Sequence, residues 1–169
     1  METSVFYIPD REIDGFINAL TDSNLEESRA AVYGLKSMGA QAMERLAYAL
    51  QLGDPALRLQ VVQIVADLRN EDAALLLVGT LEDEHVGVRR AAAECLLNMP
   101  QEALLCMLRR LAAGSASARL SAGILHVLRG LPETDPLDEN RRRLIDALNN
   151  HAPAGEMAAL ARAALEEMA

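Results

Sequence analysis

Apolar residues recur along the chain at offsets of three and four. The pattern apolar, x, x, apolar, apolar, x, x, Leu is filled by Ile13, Phe16, Ile17 and Leu20. It returns as Met43, Leu46, Ala47 and Leu50, as Ala74, Leu77, Val78 and Leu81, and as Leu104, Met107, Leu108 and Leu111. A fifth copy, Arg141, Leu144, Ile145 and Leu148, has one apolar position lost to Arg. The closing leucines step by 30, 31, 30 and 37 residues. Such offsets put each set on one stripe of a helix.

A second motif follows each first one. Residues 28–35 (SRAAVYGL) align without gaps on 89–96 (RRAAAECL), and 58–65 (RLQVVQIV) supplies the copy between them. A fourth copy runs from Arg119 to His126, and a fifth from about Glu156 to Met168. Turn-forming residues separate the two motifs: Thr21 to Asn24, Gly53-Asp54-Pro55, Glu82 to His85, Gly114-Ser115 and Asn149-Asn150. Asp, Asn and Ser there can cap the next helix, and Pro55 suits an early helical position. The unit is helix A, turn, helix B. Five units are expected at about 10–39, 40–70, 71–100, 101–131 and 138–168, in one repeat domain with an arm at 1–9 and a proline-broken insert at 132–140. No unit buries its apolar face alone, so neighbours must stack. Alanines at 30, 31, 91, 92 and 93 are expected to let helices approach closely.

This pattern resembles the HEAT-like repeats of the phycocyanobilin lyase type. Asp83, Val88, Arg89, Ala92, Ala93 and Leu96 carry the likeness, and Asp54, Arg58, Val61, Val62 and Val65 give a looser match. The resemblance implies an all-α, right-handed α-solenoid whose B helices line a concave binding face. It also implies that Arg58 and Arg89 reach back to the turn before them and to the neighbouring unit. Ser28 stands where the first unit would have that arginine.

Composition agrees with helices. Hydrophobic residues make up 51% of the 169, but aromatics only 3%, and Trp is absent. The chain carries 16 Lys and Arg against 25 Asp and Glu, a net charge of −9. All of that excess lies in residues 1–84, and residues 85–169 balance to zero. Acidic surface repels phosphate backbones, so no nucleic-acid partner is expected. No apolar run approaches the roughly 20 residues of a membrane span. The start METSVFYIPD has no basic region ahead of an apolar stretch, and two cysteines make no disulfide framework, so a cytoplasmic setting is expected.

Candidate chemistry is sparse. Deoxyhypusine hydroxylases are similar HEAT-repeat proteins that hold iron with His-Glu pairs, but His85, His126 and His151 are followed by Val, Val and Ala. Cys95 and Cys106 form no CxxC, and Cys95 occupies an inward helical position. The run Glu82 to His85 lacks the spacing of a calcium loop. Neither metal nor cofactor nor catalysis is expected. The B-helix positions outside the apolar stripe are the candidates for a protein or peptide partner. They are Arg29, Tyr33 and Lys36, then Gln63 and Asp67, then Arg90, Glu94 and Asn98, and then His126 and Arg129. Such mixed charges suit a non-catalytic interaction scaffold. Two other readings are an accessory subunit of a bilin-lyase-like enzyme and a DNA-lesion-recognising protein, as some alkylpurine glycosylases use similar repeats. The A helices turn their best apolar residues inward, so their outer rim is expected to offer little anchoring surface.

Overall fold

A computed structural model describes residues 10–114, 116–132 and 138–168. The aromatic arm at 1–9, Ser115 and most of the expected insert lie outside these residues. The described residues form ten α-helices and one short 3-10 turn. They are α1 (Asp10–Ala19), α2 (Leu25–Met38), the 3-10 turn (Gly39–Ala42), α3 (Met43–Leu52), α4 (Pro55–Asp67), α5 (Glu71–Thr80), α6 (Val86–Leu97), α7 (Pro100–Ala112), α8 (Ala118–Gly130), α9 (Asp138–Asn149) and α10 (Ala154–Glu167). The fold class is all-α, in the manner of an α-solenoid. The chain divides into two compact units at Leu68.

Polar turn residues start several of these helices. Asn24 accepts the Glu26 N–H at the head of α2, and Asp54 accepts the Leu57 N–H at the head of α4, with Pro55 in the first turn. Each satisfies a backbone donor that the helix itself leaves open. Asn70 does the same for α5 and Ser117 for α8. Ahead of α6, Asp83 instead accepts the His85 N–H from within the turn, at 2.7 Å.

In the first unit, α1 packs on α2 and α3, while α4 packs on α3 and α2. Ile13, Ile17, Leu20, Leu35, Leu46, Val61, Val62 and Val65 form its core. Gly34 belongs to this packing: a Cβ there would lie 2.8 Å from the Phe16 ring, so only glycine lets α2 come this close to α1. Of the alanines expected at close approaches, Ala31, Ala92 and Ala93 are buried, whereas Ala30 is exposed and Ala91 half-buried. A continuous run of three alanines cannot all face inward on a helix with 3.6 residues per turn.

In the second unit, α5 packs on α6 and α7, and α6 packs on α8. First helices therefore stack on first helices, and second on second. The last pair reverses this order. α9 lies against α8, and α10 runs along α7. Buried alanines at 158, 161 and 164, spaced by three, give α10 a flat face for close approach.

The reversal corrects the expected role of Arg141. It is no defective apolar position of an A helix. The side chain is buried and donates from Nη1 to the carbonyls of Leu131 and Pro132, at 3.2 and 2.8 Å. Arg141 is the fourth residue of α9, as Arg58 is of α4 and Arg89 of α6. Arg58 donates to the Gly53 carbonyl at 2.6 Å, and Arg89 to those of Asp83 and Glu84 at 2.8 and 2.9 Å. In α2 the fourth residue is Ser28, whose hydroxyl donates to the Leu20 carbonyl at 2.8 Å. One position thus ties the turn to the helix after it in four places, with three arginines and one serine. Replacing Arg89 by alanine is expected to cost about 1–3 kcal/mol, because two charge-assisted bonds are lost at a half-buried site. A chemical denaturation midpoint equal to the wild type would show that the turn does not need the guanidinium.

Candidate binding groove

All ten side chains named from the B helices are exposed. Helix geometry explains this, since their neighbours three and four residues away are the buried stripe. In the first unit, Tyr33 on α2 is 78% exposed. Lys36 on α2 forms an ion pair with Asp67 on α4, so these two candidates hold neighbouring helices together. Arg29 pairs with Glu26 at 3.8 Å along α2, and Gln63 lies exposed on α4. In the second unit, Arg90 pairs with Glu94 at 3.1 Å, and Asn98 donates to the Glu94 carbonyl at 3.1 Å. Arg129 turns toward α9 and donates to the Asn149 side chain at 2.6 Å.

Two of the ten, Arg90 and His126, converge on one groove. It lies between α6 and α8, has a volume of about 410 Å³, and is lined by Leu81, Val86, Arg89, Arg90, Ala93, Arg119, Ala122, Gly123 and His126. Val86, Arg90 and Ala93 share one stripe of α6, and Arg119, Ala122 and His126 share one stripe of α8. The facing stripes make an apolar floor with a basic rim. Gly123 sets the depth, because a Cβ there would lie 2.9 Å from the Leu81 side chain. Arg119 also donates to the Glu82 carbonyl at 3.2 Å, which fixes the rim to the turn ahead of α6. Sequence reasoning missed Arg119 and Val86 as groove residues and gave Arg89 only its turn role. Arg89 and Arg90 are the fourth and fifth residues of α6 but Arg119 is the second of α8, so no shared repeat position marks them together.

The outer rim of the first unit differs from expectation. Tyr48 and Leu52 on α3 are exposed, and with Ile17, Arg45 and Leu57 they line a hollow of about 360 Å³. The Arg45 guanidinium stands 5.7 Å from the Tyr48 ring centroid and also binds Asp14. The spacing Arg45, Tyr48, Leu52 forms a second stripe on α3, beside the one that fills the core.

Among the described residues, no group of three or more His, Cys, Asp or Glu is placed to hold a metal ion. Cys95 and Cys106 are free thiols and buried. Burial, followed by the nearby Glu71 carboxylate, pushes the Cys106 thiol up from its ordinary pKa. A protonated, enclosed thiol is a poor nucleophile. No helix among the described residues is long and apolar enough to cross a membrane.

Stacked helix pairs with exposed polar side chains along their second helices define a helical-repeat protein. The family model of the HEAT repeats matches residues 13–96 and, in a second register, residues 43–129, and the chain belongs to that family. HEAT repeats commonly mediate protein–protein interaction and are generally non-catalytic scaffolds. No curated protein and no solved structure matches the chain.

Proposed function

We propose that this protein is a non-catalytic interaction module that holds a protein or peptide partner on its B-helix faces. The observation carrying this reading is the groove between α6 and α8, where an apolar floor and converging cationic side chains are left open to solvent. A floor of apolar groups with a few placed polar ones is the usual make-up of a recognition site. Tyr33 adds an exposed aromatic on α2, and aromatic and Arg side chains supply most interface anchors. Two buried free thiols support a reducing, cytoplasmic setting. The narrower likeness to repeats of the phycocyanobilin lyase type rests on Asp83, Val88, Arg89, Ala92, Ala93 and Leu96, and would make the module an accessory subunit beside a bilin-attaching enzyme.

Tyr33→Ala separates a surface anchor from a core residue. Its unfolding free energy is expected to stay within about 1 kcal/mol of the wild type, as for other surface changes. Affinity for a partner captured from the native host is expected to fall by about tenfold or more. Unchanged affinity would remove α2 from the binding surface.

A net charge of −9 argues against duplex DNA as the partner. At physiological salt, micromolar protein is expected to leave a labelled duplex unshifted on a native gel. A salt-sensitive shift in that range would reverse the assignment.

A further inference from the structure

We infer that the α6–α8 groove selects an acidic peptide segment, one with carboxylates on either side of an apolar side chain. The inference rests on the interaction-module reading and specifies the partner at one place. Three arginines and a histidine stand among the groove's nine lining residues, and no carboxylate does. All of the lining but Leu81 comes from the half of the chain whose charges balance to zero, so the groove gathers cations that its surroundings offset elsewhere.

The groove takes in the early residues Val86, Arg89 and Arg90 of α6 and Arg119 of α8. The chain's own carboxylates stand just outside its lining: Asp83 accepts the His85 N–H ahead of α6, Glu82 accepts the Ser117 hydroxyl ahead of α8, and Glu94 holds Arg90. A bound peptide's carboxylate must therefore meet guanidinium donors that these groups leave open.

The arginines keep donors for that anion. Arg89 commits Nη1 to the Asp83 and Glu84 carbonyls, and Arg119 commits Nη1 to the Glu82 carbonyl. A guanidinium has five N–H donors in a fork that matches a carboxylate. Arg90 is held by Glu94, but both side chains are exposed, at 79% and 62%. An exposed pair of this kind contributes little, so an incoming carboxylate can displace it. Between the cations, Leu81, Val86, Ala93 and Ala122 offer an apolar slot. Val86 is 65% exposed, and a bound side chain would cover it. The groove's size suits a few residues of extended chain. It has no Phe, Tyr or Trp on which a base would stack, and the chain's net charge of −9 opposes a phosphate backbone, which together favour a peptide over single-stranded nucleic acid.

Fluorescence polarisation on the full chain tests the inference. The probe is labelled Asp-Glu-Leu-Glu-Asp, with Asn-Gln-Leu-Gln-Asn as the neutral control. The acidic peptide is expected to bind, and to weaken as salt rises from low to physiological concentration. Arg119→Glu and Arg90→Glu are each expected to weaken it by about tenfold or more, with unchanged helical circular dichroism. His126→Asp serves as a third reversal where either arginine variant proves less helical. No binding of the acidic peptide, equal binding of the neutral one, or indifference to the reversals overturns the inference. So does an oligothymidylate that competes as well as unlabelled peptide. Failure here stays distinct from failure of the broader reading. Wild type that captures a partner through Tyr33 yet ignores the acidic peptide loses only the groove assignment. Binding in the groove upholds that assignment even where Tyr33 contributes nothing.

Discussion

Leu77→Ala is expected to lower the unfolding free energy by about 2–5 kcal/mol, the range for deleting a large side chain from a core that cannot collapse around the void. Leu77 has no exposed surface. It lies on α5, which packs on both α6 and α7, so a cavity there opens at the meeting of two layers rather than at one helix pair. Denaturant unfolding monitored by circular dichroism gives the magnitude. A loss below about 1 kcal/mol would mean that the neighbouring leucines relax into the space. Leu75, two residues away on the same helix, is exposed and supplies the control. Its replacement by alanine is expected to change stability by no more than about 0.5 kcal/mol.

The second large effect is expected at Arg141. Arg141→Met keeps the length of the side chain but removes every donor. The Leu131 carbonyl then loses a bond made in a buried setting, and the Pro132 carbonyl loses another. The expected cost is about 2–3 kcal/mol, toward the upper end for bonds to a charged group. Arg141→Lys is expected to recover part of this, because an ammonium can reach one carbonyl but does not reproduce the fork. Thermal unfolding of the three proteins in one buffer gives the order wild type, Lys, Met. Equal midpoints would show that water replaces the guanidinium at no cost.

Periodicity made much of the fold legible. Leu46, Leu77 and Met107 occupy one motif position on α3, α5 and α7, and all three are fully enclosed. A stripe at offsets of three and four has only one way to avoid water, so the sequence pattern and the burial coincide. Helix starts were legible where a capping side chain stood next to the stripe, as at Asn24 and Asp54. Asn70 was missed because it follows a helix end without a conspicuous turn motif. Periodicity says which face is inward but not which helix it meets. For that reason the exchanged packing of α9 and α10 was invisible, and Arg141 was counted as a lost apolar position.

The groove was half legible for the same reason. Arg90 and His126 were readable as exposed B-helix residues. Arg119 joins them only because α8 lies against α6 at a particular register, which no local pattern encodes. The exposed pair Tyr48 and Leu52 was hidden differently. One helix can carry two apolar stripes, and the stripe read from the repeat, Met43, Leu46, Ala47 and Leu50, drew the inward assignment, although Ala49 rather than Ala47 or Leu50 is buried beside Leu46.

The order of the last helix pair limits how this chain could have grown by internal duplication. Adding a copy of α5 and α6 before α7 leaves each inserted helix with a neighbour of its own kind. A copy placed after α10 would meet α10 where a first helix belongs and α9 where a second one belongs, each carrying the wrong side chains for the contact. Lengthened descendants of this gene are therefore expected to carry their extra units upstream of α7, with the α7 to α10 segment inherited as a block.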